Sequence, residues 1–107
     1  METHLTDDNL ELFRGFYNER FLHQNQLLLK DFFKMDISLQ IGVYLAYYDS
    51  LDIRIMIIPF NSGSTKYFDI EIEPRKKYGQ PEISYFKSRN EAYKEAFKKA
   101  NEIINNN

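Results

Sequence analysis

The chain of 107 residues contains no cysteine and no tryptophan, four glycines, three prolines and two histidines. Without cysteine there is no disulfide scaffold, no thiolate zinc site and no cysteine nucleophile. Four glycines leave no glycine-rich loop to cradle a phosphate. His4 and His23 each lack a second histidine three or four residues away, so neither makes a metal-binding pair on a helix. Ser62-Gly63-Ser64 lacks the strand-to-helix setting of a nucleophile elbow. No catalytic constellation is legible, so the chain reads as non-enzymatic, with no catalytic residue, metal or cofactor expected. Long apolar runs are also missing. The most apolar stretch, Ile37 to Phe60, is interrupted by Asp49, Asp52 and Arg54 and does not make a membrane span. Met1-Glu2-Thr3-His4-Leu5 has no basic start followed by an apolar run, so no signal peptide is read and a cytoplasmic location is expected.

What is present describes an ordinary globular chain with a surplus of rings. Hydrophobic residues make 43% and charged residues 28%, while nine Phe and eight Tyr bring the aromatic share to 16%. The length suits one small α+β domain over residues 1–107, with residues 1–5 and 105–107 as frayed ends. Phe, Tyr, Met, Ile, Asn and Lys supply 49 residues, against 16 from Gly, Ala, Arg and Pro. A/T-rich codons encode the first group, which suggests a low-GC bacterium, its phage or a mobile element. The net charge of −2 hides a split: residues 1–52 hold nine acids and four bases, residues 53–107 seven acids and ten bases.

The order of elements follows from periodicity and caps. Thr6-Asp7-Asp8 reads as a helix start, with the Thr6 hydroxyl accepting from an orphan N–H and Leu5 stapled to Leu10. Leu10, Phe13, Phe16, Tyr17 and Phe21 recur at spacings of three and four, one apolar stripe. His23-Gln24-Asn25-Gln26 breaks that helix, and Leu27 to Phe33 reads as a short second one. Alternation then predicts strands over Leu39 to Tyr48, Asp52 to Ile58, Tyr67 to Glu73 and Glu82 to Lys87. Pro59 ends the second strand or marks an edge, Asn61 to Ser64 forms a loop, and Pro74 to Pro81 a basic turn. Ser88-Arg89-Asn90-Glu91 is a capping box that opens a helix from Arg89 to about Ile104, with Ala92, Tyr93, Ala96, Phe97, Ala100, Ile103 and Ile104 on its apolar face. The expected architecture is a four-stranded antiparallel meander with the first and last helices on one face.

Two surfaces stand out. On the meander's polar face, Tyr44, Tyr48 and Tyr67 would accompany Asp69, Glu71 and Glu73, which alternate along one strand about 7 Å apart. Exposed tyrosines anchor partners, and a carboxylate row suits a divalent cation or imitates the phosphate spacing of DNA. A restriction-type nuclease core wants Glu-x-Lys, whereas Glu71 is followed at +2 by Glu73. The leading expectation is therefore a protein-interaction or regulatory module, its partner another protein or a second copy, with no membrane contact. The alternative is binding of nucleic acid, double-stranded RNA or DNA, through Arg75, Lys76, Lys77, Arg89, Lys94 and Lys98. Tyr85-Phe86-Lys87 followed by Ser88 to Ala100 resembles the end of a double-stranded-RNA-binding domain, a family that runs helix, three strands, helix and touches phosphates from lysines at the start of its last helix. The likeness covers about 20 residues. The family's lysine cluster is reduced here to Arg89 and Lys94, and the chain carries an extra strand and an extra N-terminal helix. No family is assigned.

Overall fold

The computed structural model describes residues 3–22, 27–73 and 84–106. Helix α1 (Asp7–Tyr17) buries Asn9, Phe13 and Tyr17, one face at intervals of four, and runs into a π-helical turn over Asn18–Leu22. The break expected at His23 lies outside the described residues, apart from the π turn that precedes it. A one-turn helix α2 (Leu29–Phe32) follows, inside the predicted short segment. Tyr17 donates its hydroxyl to the Leu27 carbonyl at 2.7 Å, joining the two pieces.

Residues expected to form the first strand are helical. Helix α3 (Ile37–Ser50) buries Gln40, Tyr44, Tyr47 and Tyr48. These stand at i, i+4, i+7 and i+8, the spacing of one helix face. The stretch is apolar on every side, so alternation and helical periodicity both fit it, and its β-branched and aromatic residues favour the strand reading. Length decides otherwise, because 14 residues exceed an ordinary strand. The helix ends on a Schellman motif: Ile53 N–H bonds Tyr48 O at 2.9 Å and Asp52 N–H bonds Asp49 O at 3.0 Å. Asp52 takes the left-handed position at φ 61°, a place usually given to Gly, which is why the stop is hard to see in the sequence.

Strands β1 (Arg54–Ser62) and β2 (Thr65–Glu73) form an antiparallel hairpin, with Ile57 opposite Ile70 and Ser62 opposite Thr65. The Asn61 to Ser64 loop is thus a two-residue turn on Gly63, at φ 64°. Pro59 does not end the strand. Phe68, its partner, turns both backbone groups outward to Phe86, at 2.8 and 3.1 Å, so this is a non-hydrogen-bonded pair. The missing proline N–H would face the open edge of β1, where it costs the ladder nothing and discourages a further strand. Of the predicted fourth strand, Phe86 forms an isolated bridge to Phe68. Glu82 and the basic turn lie outside the described residues. Among the described residues the four-stranded meander is therefore corrected to a two-stranded sheet between helices, within an α+β fold.

Helix α4 (Arg89–Asn105) starts where its capping box predicts, with the Ser88 hydroxyl accepting from Glu91 N–H at 3.1 Å. Ala92, Ala96, Phe97 and Ala100 are buried with Ile55 and Ile70 of the hairpin, with Ile53 just before it, and with the aromatic core of α1 and α3. The three small alanines let the helix approach its neighbours closely.

The chain ends depart from expectation. Leu5 is 2% exposed and Asn105 is hydrogen-bonded, so residues 3–5 and 105 are not frayed. Thr6 precedes α1 but its side chain caps nothing. Instead Asn105 Oδ1 accepts from the Asn9 N–H at 3.0 Å, one of the orphan donors of the first turn. Asn101 and Asn105 both donate from Nδ2 to the Thr6 hydroxyl, at 2.9 and 3.0 Å. The last helix thus caps the first.

Candidate functional site

The strand pleat sorts the hairpin into two faces. Ile55 and Ile57 of β1 with Phe68, Ile70 and Ile72 of β2 pack into the core, and Pro59 continues this face as an exposed residue. The outer face carries Arg54, Met56, Ile58 and Phe60, opposite Glu73, Glu71, Asp69 and Tyr67 in register. Backbone pairing of Phe86 with Phe68 sends the adjacent Tyr85 to the outer face as well. There Phe60, Tyr67 and Tyr85 close into a triangle of rings, with centroids 5.9, 5.5 and 5.3 Å apart and two edge-to-face contacts. Tyr85 is 58% exposed and Ile58 40%. Asp69 fixes this arrangement: its Oδ1 accepts from its neighbour Ile70 N–H at 2.8 Å and from Ser84 N–H at 2.9 Å, clamping the Tyr85 segment to β2.

Of the residues read as one interaction face, Tyr67, Asp69, Glu71 and Glu73 do share a strand face. Tyr44 and Tyr48 do not join them. They lie in α3 and are 1% and 0% exposed. The alternation of the second strand already puts Met56 and Ile58 on a face that is covered or lies at an interface, whereas Phe60 and Tyr85 carry no local signal and emerge only from cross-strand register. Among the described residues no three His, Asp or Glu side chains gather as metal ligands.

Of the basic candidates, Arg75, Lys76 and Lys77 lie outside the described residues. The guanidinium of Arg89 sits over the Phe68 ring at 5.0 Å. Lys94 and Lys98 are neighbours on α4, but at 100° per residue Arg89 stands about 140° and about 180° away from them round the helix. The helix therefore does not collect the three on one face. From α3 onward the chain runs helix, strand, strand, bridged segment, helix. Among the described residues the extra strand is therefore not seen, while the additional N-terminal helices and the reduced lysine cluster still depart from the double-stranded-RNA-binding order.

The buried tyrosines have a different task. Tyr47 and Tyr48 both point their hydroxyls at Asn9, which is wholly buried. Asn9 Nδ2 donates to the Tyr48 oxygen at 3.0 Å and to Asn101 Oδ1 at 2.9 Å, and its Oδ1 accepts from Tyr47 at 2.5 Å. The Tyr48 hydroxyl also shares a 2.8 Å hydrogen bond with His4 Nε2. Burial raises both tyrosine pKa values and pushes His4 from 6.5 down to about 3. His4 packs between Tyr44 and Phe97, at centroid distances of 4.6 and 5.3 Å. The network is neutral and joins the chain's beginning to α1, α3 and α4.

A pH dependence follows from His4. The unfolded chain takes up a proton near pH 6.5 while the folded chain resists it to about pH 3. This contribution to stability is thus full above the unfolded value and is lost as pH falls through that interval. The urea midpoint should drop between pH 7 and 5, and His4→Gln should flatten that drop. An identical slope in the variant would place His4 in solvent.

Among the described residues no helix is long and apolar enough to cross a membrane. Comparison of the chain with protein families, with curated proteins and with solved structures finds no match.

Proposed function

We propose that the chain is a small non-enzymatic interaction module that docks a protein partner on the outer face of its β-hairpin. The carrying observation is the cluster of exposed Tyr85 with half-buried Phe60 and Tyr67, continuous along β1 with exposed Ile58 and half-buried Met56. Tyrosine rings in such a group supply large contact area, few torsions to freeze and a polar tip. The carboxylates of Asp69, Glu71 and Glu73 border the rings and oppose approach of phosphates, which favours a protein over a polyanion. A photo-crosslinking residue at Ile58 or Tyr85, expressed in the native host, is expected to yield one discrete adduct. The same residue at Leu12, 50% exposed on α1, is expected to yield none. An adduct of twice the chain's mass would identify the partner as a second copy. No adduct at either hairpin position, or the same adducts at Leu12, would contradict the reading.

Nucleic-acid binding is the second reading, favoured by the order helix, strand, strand, bridged segment, helix from α3 onward. It requires salt-dependent binding of duplex RNA, weakened by charge reversal at Lys76 and Lys77. No binding at low salt would end it.

A further inference from the structure

A groove of about 800 Å³ opens between the α2–α3 corner and α4, in the size range of small-molecule sites. One wall is the corner between α2 and α3, with Met35, Ile37 and the 63% exposed Leu39. The other is α4, with Lys94 and Lys98, and Lys34 adds a third ammonium group. None of the three lysines has an ion-pair partner among the described residues. Asp36 is the single carboxylate on the lining, and His4 lines the groove in its neutral form. The α2–α3 corner therefore carries the apolar side chains together with Lys34 and Asp36, α4 faces it with Lys94 and Lys98, and the lining has a net positive charge.

We propose that this groove binds a small anionic amphiphile, with a carboxylate head between Lys94 and Lys98 and a short apolar tail along Leu39, Ile37 and Met35. The two lysines are four residues apart on one helix face, close enough for both to meet one head group. Lys94 and Lys98 are two of the residues that the sequence singled out for phosphate contact. Their position opposite an exposed leucine, rather than beside Arg89, selects a ligand with a tail over a bare polyanion. This site does not depend on the hairpin face, so either proposal can fail without the other.

The test is an amide chemical-shift titration of the whole chain with decanoate, below its micelle concentration. Decan-1-ol and inorganic phosphate serve as tail-only and head-only probes. Decanoate is expected to shift residues 34–40 and 94–98, and to bind about tenfold or more tighter than either control. Lys94→Gln with Lys98→Gln should weaken decanoate about tenfold, and Leu39→Ser should also weaken it. Asp36→Asn should tighten it about threefold, because one repulsive charge is removed. Both lysines are exposed, so the double variant should fold with unchanged stability. Shifts confined to the hairpin, decanol binding as well as decanoate, or equal affinity in the lysine variant would each overturn the proposal.

Discussion

Replacing Phe13 by alanine should lower stability by about 4 kcal/mol, within the usual range for a buried Phe truncated in a core. Phe13 is wholly buried, and its ring lies 5.1 Å from Tyr47, 5.3 Å from Tyr44 and 5.9 Å from Phe32. Phe16, Tyr17 and Phe33 complete its surroundings, at 6.4, 6.1 and 6.1 Å. The side chain thus links α1, α2 and α3, and alanine leaves a hole that rings with few rotamers fill poorly. A small domain has about 5–15 kcal/mol in total, so the variant should be close to unfolding at 37 °C. Leu12, the adjacent residue in sequence, is half exposed, and Leu12→Ala should change the urea midpoint by less than about 0.5 kcal/mol in equivalent stability. Comparable losses in the two variants would mean that α1 does not present the face described.

Asn9→Ala should cost about 3 kcal/mol, although it removes only a polar side chain. The loss is one of partners. Tyr48, Tyr47 and Asn101 all aim polar atoms at the Asn9 amide, and its removal leaves buried groups short of bonds at about 1–3 kcal/mol each. Tyr48 keeps His4 and Asn101 keeps the Thr6 N–H, which holds the total to the lower part of that sum. Asn9→Asp should be worse at pH 7, because a carboxylate oxygen would face Asn101 Oδ1 and the Tyr48 oxygen where an N–H₂ now donates. Pairing Asn9→Ala with Tyr48→Phe should cost less than the two single changes added together, since they share one bond. Additive losses measured by urea unfolding would show that the network does not act as a unit.

The legible parts of the fold were those with one unambiguous local signal. Ser88 and Glu91 stand at capping-box spacing, and α4 begins there. Phe68, Ile70 and Ile72 alternate with acids, and β2 covers them. Helix α3 was not legible because residues flanking its buried face are apolar too, and because Gln40, which bonds the Phe32 carbonyl at 2.8 Å from inside the core, looks like a surface residue. Asn9, Asn101 and Asn105 failed for the same reason. An asparagine in isolation predicts solvent or a cap, and only the crossing of α1 and α4 makes these three satisfy one another. In the candidate site, the carboxylate column was legible and its aromatic neighbours were not. Register pairs Phe60 with Tyr67, and a backbone bridge at Phe86 delivers Tyr85; neither is a property of a short window of sequence.

The central claim is that, among the described residues, Tyr17, Tyr44, Tyr47 and Tyr48 are sealed in the helical core while Tyr85 stands exposed on the hairpin face beside half-buried Tyr67. Laser-induced nuclear polarisation with a soluble flavin dye tests it directly, because only tyrosines that the dye touches respond. Tyr85 should give a strong signal and Tyr67 a weaker one, while Tyr17, Tyr44, Tyr47 and Tyr48 stay silent. Signals from Tyr44 and Tyr48 with silence from Tyr85 would contradict the account and restore the sheet of exposed tyrosines in its place.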